Sequence, residues 1–161
     1  MSVLELCRWI QEMPVSTDIR ESAWIFPIIL GFHSLGLTLS VGTILWFDFR
    51  LLGLRFRKQP VSEIYHQLKP WMLAGFAVMF VSGLLLFSAQ ASRCYENLYC
   101  RSKILLLVVP GLNALVYHRV TERDIATWDH QPLPPTSARI AGLVSIVSWA
   151  TIIVLGRQIV F

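Results

Sequence analysis

The chain has 161 residues, of which 55% are hydrophobic and only 15% charged, with a formal charge of +4 and a mean hydropathy of +0.57. So apolar a composition excludes an ordinary soluble domain. The basic residues gather at the ends of apolar stretches instead of forming a stripe, which argues against nucleic-acid binding and makes the lipid bilayer the expected partner.

In chain order, residues 1–23 carry Glu5, Glu12, Asp18 and Glu21 where a cleavable signal needs a basic start and an apolar run, so this segment is expected to stay on the mature protein. Val3, Leu6, Trp9, Ile10 and Met13 fall at helical spacing opposite Glu5, Arg8 and Glu12. This predicts a short amphipathic helix, either lying in the membrane interface or packed on the end of the bundle. Pro14 breaks it, and Ser16 or Thr17 is placed to cap a second turn. Four apolar stretches follow, at about 24–46, 70–90, 101–118 and 139–160, each suited to crossing a hydrocarbon core ~30 Å thick. Trp24 and Trp46 bracket the first as an aromatic belt would. The expectation is an all-α integral membrane four-helix bundle, one transmembrane domain over residues 1–161, without internal repeat.

The connection from Arg50 to Lys69 is basic and contains Pro60 before an amphipathic stretch, Val61 to Leu68. The connection from Arg119 to Thr136 ends in Gln131-Pro132-Leu133-Pro134-Pro135, which reads as a semi-rigid extended linker. Counted with Arg139 just beyond the second of them, these two loops hold eight of the fourteen Lys and Arg, and the opposite side six. That bias predicts the two loops inside a bacterial inner membrane and both termini periplasmic. The same topology puts Cys94 and Cys100 together in an outer loop, where they either pair as a disulfide or remain free thiols, with Cys7 unassigned.

Small residues mark where helices approach closely. Gly31, Ser34, Thr38 and Gly42 form a stripe on the first span; Ser82 and Gly83 on the second, and Ala141, Ser145 and Ser148 on the fourth, are counterparts. Pro110 frees the Leu106 carbonyl and should bend the third helix, and Asn113 can hydrogen-bond across the bundle.

An ionisable side chain inside a span is costly, so His33 is the leading functional candidate. Counting depth from span centres places Ser82 and Thr151 at its level as hydrogen-bond partners, and His118 about 15 Å away along the bundle axis. His66 and His118 share the inner surface and form a second, weaker candidate metal pair. Lys103 and Arg157 lie at the outer ends of the third and fourth spans, on the side toward which His33 is displaced, where they can hold carboxylates such as haem propionates. Asp48, Arg50 and Arg139 form an inner layer in which Asp48 can pair with either arginine.

The succession His33-Ser34-Leu35-Gly36, Asp48 to Gly53, Ser82 to Phe87, Asn97 to Lys103, Gly111 to Leu115 ending at His118, and Ala138 to Leu143 followed by Trp149 and Gly156-Arg157 resembles a family of short four-helix bacterial membrane proteins classed as a domain of unknown function. The resemblance covers nearly the whole chain and implies the four-helix fold without an activity. More distantly, a first-span His followed by Gly and a third-span Lys is similar to CopD copper-resistance membrane domains and the HemJ type of protoporphyrinogen oxidase. Relatives often carry a carboxylate three residues before the His; here that position is Leu30, which removes an obvious partner for His33.

No nucleophile and base pair, phosphate loop, paired carboxylates or Cys-x-x-Cys cluster is present, which argues against hydrolase and nucleotide-dependent chemistry. Three readings remain. The first is a redox accessory protein binding haem b or a metal ion through His33, with Lys103 and Arg157 as anchors. The second is a non-catalytic subunit assembling with other membrane subunits or as a homo-oligomer. The third is a small proton-coupled transporter using His33 as relay.

Overall fold

The computed structural model describes residues 2–159, the side chains of residues 120–122 excepted. Among these residues all regular structure is helical: α1 (Val3–Gln11), α2 (Pro14–Glu21), α3 (Ile25–Leu51), α4 (Val61–Ala89), α5 (Ala91–Glu96), α6 (Leu98–Leu106), α7 (Val108–Val116), α8 (Ile125–Trp128) and α9 (Thr136–Arg157). A π-helical turn, Tyr117–Thr121, extends α7. Four helical segments are long and apolar enough to cross a membrane: α3, α4, the α6–α7 pair as Leu98–Arg119, and α9. The chain is therefore a multi-pass, all-helical membrane protein.

The closest crossing joins α3 to α4. A Cβ at Gly36 would stand 2.7 Å from the Met79 amide nitrogen, and one at Gly75 would stand 2.5 Å from that of Ser40, so only glycine lets these backbones meet. The stripe expected to serve this purpose does not. Gly31, Ser34, Thr38 and Gly42 are exposed, and a Cβ on Gly31 or Gly42 would meet nothing within 4 Å. Small residues line two faces of this helix, and spacing alone does not say which one packs.

Helix α9 is the most enclosed span, 39% of its apolar window buried against 11% for the α6–α7 span. Its buried residues Ala138, Ala141, Ser145, Ser148, Trp149 and Ile152 recur at helical spacing, facing α3 on one side and the third span on the other. The third span thus sits at the periphery. Pro110 has no amide to offer Leu106, and the helix divides at Leu107; Asn113 Nδ2 donates to the Ala141 carbonyl at 2.9 Å, tying the second half-helix, α7, to α9.

At one end of the bundle, α1 docks on α5. Leu4 and Cys7 turn inward, while Val3, Leu6 and Trp9 stay exposed, so the helix is both packed on the protein and apolar toward its surroundings. Gln11 Oε1 accepts from the Ser92 amide at 2.9 Å and the Ser92 hydroxyl at 2.6 Å. Helix α2 begins at Pro14, whose fixed φ suits the first helical position, so Ser16 and Thr17 lie inside it and do not cap it. Cys94 and Cys100 are joined by a disulfide with Cα atoms 5.3 Å apart, and Cys7 is a buried free thiol.

At the other end the two long loops interlock. Arg50, fully buried, donates from Nε to the Gln59 carbonyl at 2.9 Å and from one terminal nitrogen to the Gln131 carbonyl at 3.1 Å. Asp129 closes the start of α4 from 67 residues away, accepting from the Ser62 amide at 2.8 Å and the Ser62 hydroxyl at 2.5 Å. The Pro-rich segment lies across this junction, its Leu133 against Gly53.

Candidate functional site

Two helices position His33. Helix α3 carries it three residues before the Gly36 contact, so the close approach of α4 brings the Met79 turn against the imidazole. His33 Nδ1 lies 3.0 Å from the Met79 carbonyl oxygen and 3.1 Å from Ser82 Oγ. A carbonyl only accepts, and the Ser82 hydroxyl donates to the Val78 carbonyl at 2.5 Å, so Nδ1 must be the donor to both. In the neutral ring this fixes the proton on Nδ1 and leaves the lone pair on Nε2. Gly83 completes the seat: a Cβ there would stand 3.1 Å from His33 Cε1. Sequence depth found Ser82, but the Met79 carbonyl and the space at Gly83 depend on how α4 is rotated about its axis.

Thr151 is not part of this arrangement. It is exposed and donates to the Val147 carbonyl of its own helix at 2.8 Å. It shares the level of His33 but points away, because depth is read from residue number and facing is not.

Lys103, on α6, approaches from the third span. Its ammonium rests on Gly156 of α9, where a Cβ would be 3.3 Å from Nζ, and it is close enough to His33 to act on it through space. Among the described residues no carboxylate or carbonyl takes up this amine. Arg157 ends α9 one residue beyond Gly156 and is exposed. His33, Ser82, Gly83, Lys103 and Gly156 therefore form one locus, with Arg157 at its rim.

His66 and His118 meet a different neighbour. Both rings lie against Tyr65, with centroids 6.0 and 5.7 Å from it, and His118 Nε2 is 3.3 Å from the Tyr65 hydroxyl. Among the described residues no three His, Cys, Asp or Glu side chains are grouped to hold a metal ion. The expected ion pairing of Asp48 is also absent. Asp48 is buried beside Ser145, Arg50 turns to the loop carbonyls, and Arg139 is exposed; the ion pair among the described residues is Arg20 with Glu21. Residues two apart on a helix do not face each other, which is why Asp48 and Arg50 diverge.

What the locus can do follows from its groups: a lone pair held in a fixed direction can accept a proton or ligate a metal, and an unpaired ammonium beside it can bind an anionic or carbonyl oxygen. Comparison with known proteins supplies no activity to choose between these, since neither curated proteins nor solved structures give a match, and the likeness to CopD and HemJ domains gains no support. The chain does match a family of unknown function, DUF6644, over residues 26–161, from the start of α3 through α9, and it belongs to that family.

Proposed function

We propose that the protein is a haem- or metal-binding redox accessory of the membrane, with His33 as ligand through Nε2 and Lys103 holding an anionic edge of the bound group. The observation that carries this reading is the Met79 carbonyl at 3.0 Å from Nδ1. Metal-ligating histidines commonly donate their other ring N–H to a carbonyl or carboxylate, which orients the ring and strengthens the ligand. Haem would supply one-electron chemistry; the chain supplies the oriented imidazole and the ammonium. The inner membrane is the proposed location, with the disulfide end periplasmic, on the strength of the basic loops and the Cys94–Cys100 bond.

The test is an absorption spectrum with metal analysis of the purified protein. The expected result is one visible-absorbing or metal group per chain, lost in His33→Leu and kept in His118→Leu. Colourless, metal-free wild-type protein would overturn it. A second reading, an assembly subunit, is favoured by the peripheral third span, whose apolar window is only 11% buried.

A further inference from the structure

The turn between α3 and α4 gathers charge that no acidic group among the described residues neutralises. Arg55, Arg57 and Lys58 fall within four residues, all exposed, and no acidic residue occurs between Arg50 and Pro60. None of the three is in an ion pair among the described residues. Orienting the protein in a membrane needs positive charge on this side, but not three like charges gathered in one turn, where they repel one another.

The turn is nonetheless held in one shape. Gly53 and Phe56 both take positive φ, 69° and 59°, and Arg57 Nε donates to the Gly53 carbonyl. The Gln59 amide donates to the Phe56 carbonyl at 3.0 Å, and the buried Arg50 holds the Gln59 carbonyl from below. Phe56 is a non-glycine residue in a left-handed conformation, a strained choice that surrounding contacts must stabilise. It stacks on Trp46, with ring centroids 5.0 Å apart and planes 16° apart. Trp46 and Leu54 remain 52% and 62% exposed at the end of a membrane span. Apolar and aromatic groups thus stand beside unpaired cations at the level where a bilayer changes from hydrocarbon to headgroup.

We propose that this turn is a binding site for anionic phospholipid, with Arg55, Arg57 and Lys58 facing the headgroup phosphodiester and Leu54 and the Trp46–Phe56 stack entering the acyl boundary. The chemistry matches on both sides: juxtamembrane cations attract anionic headgroups, and guanidinium groups bind phosphate oxygens as a fork. The proposal is independent of the His33 site.

The experiment compares purified wild-type protein with the triple variant R55Q/R57Q/K58Q by native mass spectrometry and by thermal stability, on titration with phosphatidylglycerol or with phosphatidylcholine. Wild-type protein should retain and be stabilised by phosphatidylglycerol over phosphatidylcholine, less so at high salt. The triple variant should bind phosphatidylglycerol roughly a hundredfold more weakly. R55Q/K58Q leaves the Arg57 bond to Gly53 in place and should lose about two-thirds of that effect on a logarithmic scale. R93Q/R101Q, removing two exposed cations from the disulfide end, should bind as wild type does. Equal phosphatidylglycerol retention by the wild type and R55Q/K58Q would overturn the proposal. So would equal stabilisation by inorganic phosphate, which would identify an anion site with no requirement for lipid.

Discussion

Arg50 and Lys103 are both cations drawn into an apolar helical bundle, and they differ in what surrounds the charge. Arg50 is enclosed by carbonyls of two loops, Gln59 from one and Gln131 from the other, and so joins segments some 70–80 residues apart in sequence. Lys103 rests against the bare backbone face of Gly156 and has no hydrogen-bond acceptor among the described residues. A buried guanidinium that bonds carbonyls of two loops is explained by the fold it holds together, even with its other terminal nitrogen unpartnered. A half-buried ammonium without an acceptor, like that of Lys103, is either a cost the fold tolerates or a place kept for something else. The comparison teaches that substitutions at the loop end should change stability, and substitutions at the His33 end should change what the protein binds.

The largest stability effect is expected at the clamp. Arg50→Ala removes the donor to both loops and leaves an unfilled space where the buried side chain stood, which should cost about 3 kcal/mol in unfolding experiments in detergent. A loss no greater than that of a surface arginine such as Arg123 would remove the contrast. Next is the shared crossing on which both ends depend. Gly75→Ala places a Cβ against the Ser40 backbone and should cost about 2 kcal/mol by forcing α3 and α4 apart, while Gly42→Ala, facing open space, should be close to neutral. If the two alanine variants melt together, the crossing is misplaced.

Asp129→Ala should cost about 1 kcal/mol, as the loss of a helix cap does. Its acid dependence sharpens the point. Burial acts to raise the Asp129 pKa, but the hydrogen bonds from the Ser62 hydroxyl and amide outweigh it, and the carboxyl is held below its ordinary value. A depressed folded pKa gives stability that is fully present above the unfolded value, about 3.9, and is lost as the pH falls through the lower folded value. The advantage of wild type over Asp129→Asn should therefore be constant at neutral pH and shrink below about pH 4. An advantage that grows on acidification would have the wrong sign.

The smallest stability effect is expected at His33 itself. His33→Leu should cost only about 0.6 kcal/mol, typical of an intramembrane hydrogen bond, while abolishing any bound group. Gly83→Ala should keep the fold and lower the occupancy, because its Cβ displaces the ring. A His33→Leu variant that fails to insert, with His118→Leu normal, would show that the imidazole serves packing alone.

Much of this contrast could be read from the residues. Hydropathy located four spans, and counting depth along antiparallel helices paired His33 with Ser82. The same count wrongly added Thr151, since it carries no information on facing. The motif His33-Ser34-Leu35-Gly36 contained the glycine that brings α4 close, but four other small residues offered a longer stripe, and nothing in the spacing ranks one face over another. The cap that Asp129 provides to α4, and the grip of Arg50 on both loops, link positions too distant in sequence for any local pattern to reveal. Gly83 and Gly156 gain meaning only once His33 and Lys103 are seen to rest on them.

The central claim is the orientation of the His33 lone pair, and nitrogen-15 NMR of histidine-labelled protein reads it directly. The account predicts a His33 ring with its proton on Nδ1, facing Met79 and Ser82, and an unprotonated Nε2, both in the wild type and in Lys103→Met. A His33 proton found on Nε2 would contradict it, because the nitrogen offered to a ligand would then be occupied.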